Sequence, residues 1–283
     1  MWTIYSPFNI AFNTAKARLA VLIWALITLP AINVNAQFQF EDIIKTESSF
    51  FTIDPLGNIY FSESGEIIKI DKPSGEKSYF SKPMYGSFDI IDSSDPFNIL
   101  AFSSNLGIIA FLDKNLVEKE PYVSYDEYFT QKPELACNSR QGGFWIYYPG
   151  DWKFLRINRK NRVLAETPPM NQVEYNFSRP CFMVENDSRL YVSDKENGIF
   201  VFDVFGSLLF KIPLKNICTF QIKQNKIIYF QKEHLYVYDF FLHEESLFLL
   251  PEQEVKMLNV IRPYVYLLTK QGIKKYKMQI ELF

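Results

Sequence analysis

The chain has few of the residues from which metal and redox sites are built. Of its 283 residues, only two are histidines, His234 and His243, and only three are cysteines, Cys137, Cys181 and Cys218. Neither histidine belongs to an HExxH motif, and the chain has no P-loop, no G-x-S-x-G motif and no CxxC pair. The sequence therefore predicts no catalytic residue, no metal ligand and no cofactor.

An excess of charge of either sign is also missing. The chain has 30 basic and 32 acidic residues, for a formal net charge of −2. Proteins that bind nucleic acid neutralise phosphates with clustered lysine and arginine, and no such basic stripe is present. Nucleic acid is therefore not an expected partner.

A hydrophobic run long enough to span a membrane is missing as well. Lys16 and Arg18 precede an apolar run of 11 residues, 19–29, whereas a spanning helix needs about 20. Val34 and Ala36 have side chains small enough for the −3 and −1 positions of a signal peptidase site before Gln37. The pattern predicts a secretory signal peptide over residues 1–36, and an uncleaved membrane anchor is the alternative. After its removal the chain is not expected to span a membrane.

What the sequence does contain is a strand-turn-strand pattern that recurs about every 40 residues from Phe51 almost to the end. Each copy has a pair of apolar or aromatic residues, a turn, and a second apolar run that usually closes on an acidic or amide residue. Six copies predict an all-β fold over residues 37–283, a six-bladed β-propeller with four-stranded antiparallel blades. The six pairs are Ile59-Tyr60, Ile99-Leu100, Phe144-Trp145, Leu190-Tyr191, Ile228-Tyr229 and Val265-Tyr266.

A ring of blades has to be closed. Apolar and polar residues alternate over residues 38–44, ahead of the first full copy. We predict that this N-terminal strand joins the last blade and closes the ring, because closure removes exposed sheet edges.

Acidic or amide residues end the third strand of five copies. A metal site is one interpretation, but residues spread one to a blade lie too far apart to share an ion. We predict instead that each side chain accepts a backbone N–H group two residues further on. These residues are Asp71, Asp113, Asn158, Asp203 and Asp239.

The three cysteines cannot all pair within one chain. We expect Cys137, Cys181 and Cys218 to be small buried residues in or near the first strands of their blades. A bridge between Cys181 and Cys218 would require adjacent blades to bring these strands close together.

Several segments carry a resemblance to a known group of proteins. The chain resembles uncharacterised secreted six-bladed β-propellers of Bacteroidetes-type bacteria, and more distantly NHL-like and TolB-like propellers. The resemblance implies a location in the periplasm or associated with the outer membrane, and it implies no catalytic residue. The segments are Asp54–Phe61, Ser94–Leu100, Gly143–Tyr147, Gly198–Asp203 and Thr219–Ile222.

Aromatic residues are concentrated in the connections around blades 2 to 4. Connections between blades emerge on the same face of a propeller as the turns between second and third strands, and tyrosine and tryptophan are enriched at interaction hot spots. We predict a binding surface there, and the alternative is that these rings only cover the rims of blades 3 and 4. The residues are Tyr122, Tyr125, Tyr128, Tyr148, Trp152 and Tyr175.

These observations predict an exported, non-catalytic scaffold, a monomeric ring that binds a protein partner in the cell envelope. One alternative is a propeller that binds a glycan or another small ligand. Another is a metal-dependent enzyme of the lactonase or lyase class. The fold itself does not choose among them.

Overall fold

The computed structural model describes residues 37–119, 122–125, 131–172, 175–280 and 282. The signal peptide predicted over residues 1–36 and the predicted binding residue Tyr128 lie outside this part of the chain.

The described residues form twenty-four strands in six antiparallel sheets of four strands each. Blade 1 contains β2 (Phe51–Ile53), β3 (Ile59–Glu63), β4 (Glu66–Ile70) and β5 (Lys77–Phe80). Blade 2 contains β6 (Ile90–Asp92), β7 (Ile99–Ser103), β8 (Ile108–Leu112) and β9 (Val123–Ser124). Blade 3 contains β10 (Leu135–Asn138), β11 (Phe144–Tyr148), β12 (Lys153–Ile157) and β13 (Val163–Glu166).

The second half of the ring follows the same order. Blade 4 contains β14 (Pro180–Asn186), β15 (Arg189–Asp194), β16 (Gly198–Asp203) and β17 (Leu208–Ile212). Blade 5 contains β18 (Gln221–Lys223), β19 (Lys226–Gln231), β20 (His234–Asp239) and β21 (Glu244–Leu249). Blade 6 contains β22 (Met257–Ile261), β23 (Tyr264–Thr269), β24 (Gly272–Met278) and the first strand of the chain, β1 (Phe38–Ile44). Helical structure in the described residues is limited to 3-10 turns, at Pro83–Tyr85 and at Tyr175, so the all-β, six-bladed prediction is confirmed.

The apolar core of the described residues is divided into six clusters that lie between neighbouring blades. Successive side chains of a strand point to opposite faces of its sheet, so one strand contributes to two clusters. In β7, Leu100 packs toward blade 3 in a cluster with Ile146, whereas Ala101 packs toward blade 1 in a cluster with Tyr60. Burial on both faces explains why the second and third strands are almost continuously apolar.

The predicted closure by the N-terminal strand is confirmed. β1 pairs with β24 from Phe38 opposite Met278 to Ile44 opposite Ile273. Phe38 is only 6% exposed and packs in the cluster between blades 5 and 6. The ring therefore ends on a sheet built from both ends of the domain.

Four of the five residues that close the third strands accept the N–H group two residues further on, as predicted. A side-chain oxygen of Asp113 accepts N–H groups from Asn115 and Val117, each at 2.8 Å. Asn158, Asp203 and Asp239 likewise accept the N–H two residues further on. Asp71 differs, because its bond comes from the N–H of Ser74, three residues on, at 3.2 Å.

Hydrogen bonds between the inner parts of adjacent blades add to the apolar contacts. The Asp92 carboxylate in blade 2 accepts the N–H of Asn138 in blade 3 at 2.8 Å. The Glu185 carboxylate in blade 4 accepts the indole N–H of Trp145 in blade 3 at 2.7 Å. Gln221 in blade 5 donates to Asn259 in blade 6 at 2.8 Å. The polar side chains of the inner strands thus help to fix one blade against the next.

The expectation of three unpaired cysteines is wrong for two of them. Cys181, the second residue of β14, is disulfide-bonded to Cys218, which lies just before β18. Neighbouring blades bring their inner ends together, so the two Cα atoms lie 5.6 Å apart. Cys137 is buried with a free thiol, and burial, followed by the nearby carboxylates of Asp92 and Glu185, raises its pKa.

Candidate functional site

The described part of the protein has a wide hollow on one face of the ring, with a volume of about 920 Å³. We name it the face concavity. Its walls come from blades 2, 3 and 4. It is lined by Ser104, Asn105, Gln131, Lys132, Pro133, Glu134, Leu135, Pro149, Ser178, Arg179, Pro180, Cys181, Lys195 and Glu196.

The topology explains why these separate segments meet. Ser104, Pro149 and Lys195 lie in the turns between the second and third strands of blades 2, 3 and 4. Glu134 and Arg179 directly precede the inner strands of blades 3 and 4. In an antiparallel four-strand meander these turns and connections leave the sheet at the same end. The face concavity therefore lies on the face, and at the blades, where the sequence predicts a binding surface.

Five of the fourteen lining residues are charged. Arg179 forms a two-pronged ion pair with Glu134, with nitrogen–oxygen distances of 2.9 and 3.2 Å. The Lys132 ammonium donates to the carbonyl oxygen of Asn105 at 3.0 Å. Lys195 and Glu196 are exposed at the other wall. The lining thus contains three cationic and two anionic side chains.

A buried carboxylate holds one wall in place. Asp194, at the end of β15, is fully buried and accepts the N–H of Ser178 at 2.7 Å and its hydroxyl at 2.9 Å. The same carboxylate accepts the N–H of Glu196 at 2.9 Å and the side-chain amide of Asn197 at 3.1 Å. Asp194 therefore ties the connection that carries Arg179 to the turn that carries Lys195 and Glu196.

These hydrogen bonds also decide the protonation of Asp194. Burial alone would raise its pKa, because a charged carboxylate is costly away from water. The bonds from Ser178, Asn197 and Glu196 favour the charged form and outweigh burial, so the pKa lies below its ordinary value. Asp194 is an anion under ordinary conditions.

A second hollow is the central channel, with a volume of about 560 Å³ and a lining drawn from the inner strands of all six blades. Several of its polar residues already have partners in the wall. Glu185 accepts the backbone N–H of Arg140 at 2.9 Å as well as the indole of Trp145. Asp92 accepts the N–H of Ser94 at 2.9 Å as well as that of Asn138. These carboxylates therefore already accept hydrogen bonds from the protein itself, including bonds between neighbouring blades.

The predicted aromatic residues lie nearby, mainly in packed positions. Tyr125 is fully buried and Tyr148 is 5% exposed, both in the cluster between blades 2 and 3. Trp152 and Tyr175 are half-buried against the cluster between blades 3 and 4. Tyr122 is half-buried, with its ring 4.8 Å from that of Tyr85. Changing Tyr125 or Tyr148 would thus act first through packing, and a binding role for this set stays a prediction.

The sequence analysis missed the charged residues of the face concavity. Glu134 and Arg179 occupy the same position in successive blades, directly before the inner strand, and lie 45 residues apart in the chain. Lys195 and Glu196 lie in the turn after β15. A comparison of equivalent positions in successive copies would have placed these side chains on one face.

The described residues contain no group of three or more histidine, cysteine, aspartate or glutamate side chains placed to hold a metal ion. In the same part of the chain, no helix is both long enough and apolar enough to cross a bilayer.

Comparison with known proteins shows the fold. No protein-family model matches the chain, and no curated protein sequence matches it. A streptogramin B lyase structure has 16% sequence identity and a TM-score of 0.57, and the match covers 81% of this chain and 78% of that one.

Two further structures are similar. BamB from Moraxella catarrhalis has 13% identity and a TM-score of 0.51, with 88% of this chain and 96% of that one covered. The extracellular domain of a one-component system from B. thetaiotaomicron has 14% identity and a TM-score of 0.53, with 82% of this chain and 33% of that one covered. At these identities the similarity concerns the fold alone. Together with the six sheets described above, it identifies the chain as a six-bladed β-propeller.

Proposed function

We propose that the protein is an exported, non-catalytic scaffold that binds a protein partner in the cell envelope through the face concavity. The observation that carries the proposal is the hollow of about 920 Å³ that segments from three blades build on one face. Asp194 joins two segments of one wall, because it accepts the N–H groups of Ser178 and Glu196.

The character of the lining favours a protein over a small molecule. Sites for small ligands bury most of the ligand among apolar side chains. Here the Arg179 side chain is 74% exposed, and Lys195 and Glu196 are exposed too. Exposed charges of both signs are typical of the rim of a protein interface, where they set specificity and the rate of association.

Export is supported by the disulfide and by the predicted signal peptide. Disulfides persist in oxidising compartments such as the periplasm and the cell exterior. A bond between Cys181 and Cys218 fits that setting. We propose that the protein is located in the periplasm or associated with the outer membrane, and that it is related to secreted propellers of Bacteroidetes-type bacteria. N-terminal sequencing of the envelope-associated protein should find a mature chain that starts at Gln37, and a start at Met1 would contradict export by this signal.

Affinity purification from the native envelope tests whether a protein partner binds at the face concavity. The variants Arg179→Glu and Lys195→Glu reverse charge at the face concavity without changing buried residues. Lys232→Glu is the matched control, because Lys232 is exposed in the corresponding turn of blade 5.

We expect the two concavity variants to lose the specific partner captured by the natural protein and the control to retain it. Since reversal of an interface charge costs at least about 1.4 kcal/mol, the dissociation constant should rise at least about tenfold. Equal capture by all three variants would contradict the proposal.

A glycan or small-ligand function is the second candidate, favoured by the central channel. Its volume of about 560 Å³ lies within the range of ligand sites. The Trp145 indole bonds to Glu185, which lines the channel, so a bound sugar should change tryptophan fluorescence. A lactonase or lyase would require a metal, and metal analysis of protein purified without a tag tests for one. A stoichiometric divalent metal would contradict the non-catalytic proposal.

A further inference from the structure

The outer edge of blade 5 differs from the other outer edges of the ring. Each outer strand has one side without a strand partner in its sheet. Natural proteins protect such edges with short strands, bulges, prolines or charged side chains, because a free edge can pair with another chain.

The other five outer edges carry such protection. β9 has only two residues, and β5 has four and begins with Lys77. The pairing of β13 is interrupted by a register shift, and so is that of β17, which also carries Lys211. β1 in blade 6 has a register shift next to Glu41 and Asp42.

β21 has none of these features over most of its length. It pairs with β20 over six residues without a register shift, and it contains no lysine, no arginine and no proline. Leu247 and Leu249 are 57% and 58% exposed, although both are apolar. Two acidic residues, Glu244 and Glu245, stand at one end of the strand.

The hydrogen-bond register shows which backbone groups are free to pair outward. The N–H of Leu250 donates to the carbonyl of Glu233 in the hairpin, at 2.8 Å. In an antiparallel pair the residues bonded to the partner strand alternate with residues whose N–H and C=O groups point away. The outward groups of β21 therefore belong to Glu245, Leu247 and Leu249.

The side chains of the same three residues lie on one face of the sheet. They are opposite Tyr238, Tyr236 and His234 of β20. The Glu245 carboxylate accepts a hydrogen bond from the Tyr229 hydroxyl, which fixes the acid at the end of the stripe. The edge thus presents two apolar side chains followed by an anchored negative charge.

We propose that β21 binds an extended segment of a partner protein as an added antiparallel strand. Side chains of an added strand contact those directly opposite. The complementary segment therefore has two apolar residues at alternate positions, opposite Leu249 and Leu247, and then a basic residue opposite Glu245.

A second copy of this chain fits the edge less well. Antiparallel pairing of two β21 strands about Leu247 would place Glu245 of each copy against Leu249 of the other. That arrangement puts a carboxylate against an apolar side chain twice and gives neither acid a cationic partner. Charge complementarity favours the partner segment.

The test uses two fluorescent synthetic peptides and the mature chain. Both peptides contain the sequence Val-Thr-Val-Thr. It is followed by lysine in one peptide and by glutamate in the other. Binding is measured by fluorescence anisotropy, and amide hydrogen exchange is followed at Leu247 and Leu249. Leu247→Lys blocks the edge, and Leu209→Lys on the outer strand of blade 4, at a residue that is 46% exposed, is the matched control.

We expect the lysine peptide to bind more tightly than the glutamate peptide and to slow exchange at both amides. Leu247→Lys should weaken binding at least about tenfold, Leu209→Lys should leave it unchanged, and Glu245→Lys should reverse the preference between the peptides.

Three results would overturn the proposal. One is no binding of either peptide at about 1 mM, and another is equal binding by Leu247→Lys and Leu209→Lys. The third is a dimer in light scattering that Leu247→Lys dissociates, because it would assign the edge to a second copy.

Discussion

Removing the disulfide between Cys181 and Cys218 should lower the free energy of unfolding by about 4 kcal/mol. The two cysteines are 37 residues apart in the chain. In the chain-entropy treatment, closing a loop of that length lowers the entropy of the unfolded state by about 13 cal/mol/K, which corresponds to about 3.8 kcal/mol at 25 °C. For a domain of this size each kcal/mol corresponds to a melting temperature change of about 2–4 °C, so the melting temperature should fall by roughly 8–15 °C.

The folded state should change little, because other bonds hold the same connection. The N–H of Asn216 donates to the carbonyl of Lys195 at 2.7 Å, and the Ser193 hydroxyl donates to the carbonyl of Ile217. The loss is therefore expected to arise mainly in the unfolded chain. The circular dichroism spectrum of the double serine variant should match that of the natural protein.

The assay is urea unfolding of the natural protein and of Cys181→Ser/Cys218→Ser, each with and without a reducing agent. The natural protein should unfold at a lower urea concentration when reduced, and the double variant should not respond to reductant. Cys137→Ala is the control, since its bridge is intact and it should still respond. Coincident unfolding curves for oxidised and reduced natural protein would refute the reasoning.

Three further predictions concern closure, pH and contact between blades. Phe38→Ala should reduce the free energy of unfolding by about 3–5 kcal/mol, because the side chain is buried. Phe40→Ala, at a residue that is 53% exposed, should cost much less in the same urea titration. Because its folded pKa is lowered, Asp194 stabilises the protein above its ordinary pKa of about 3.9, and this contribution is lost as the pH falls through the folded value. The stability difference between the natural protein and Asp194→Asn, measured by urea unfolding from about pH 6 to about pH 2, should therefore shrink on acidification, and a constant difference would contradict the assignment. Glu185→Ala leaves the Trp145 indole N–H without its acceptor, so it should cost about 2–3 kcal/mol and change tryptophan emission, and an unchanged spectrum would argue against the bond.

The sequence predicts the architecture well because the pattern of each propeller blade lies within a short, continuous stretch of the chain. The pair and turn of each copy lie within one hairpin, and burial on both faces gives uninterrupted apolar runs such as that of β16. Closure by β1 was also predictable, since an alternating segment ahead of the first blade has few other places to pair. Asp113 acts as a turn acceptor through bonds to residues only two and four positions away.

The binding surface is harder to predict, because its residues come together from distant segments. Tyr125 and Tyr148 are of a residue type that is common at interaction hot spots, yet their side chains pack between two blades. Whether a ring in a connection points inward depends on how the next blade lies against it. The pairing of Glu134 with Arg179 and of Cys181 with Cys218 depends in the same way on the neighbouring blade.

The joining of β1 to β24 has a consequence for how the chain reaches its final state. Gln37 and Gln279 are held by a backbone hydrogen bond although more than two hundred positions separate them. A ribosome produces the first of these partners long before the second, so the opening strand has to wait while every other sheet is assembled. In a crowded refolding mixture the same strand from another molecule could complete the ring instead. Dilution should therefore favour the correctly closed product, whereas concentration should favour molecules that have exchanged their first strands.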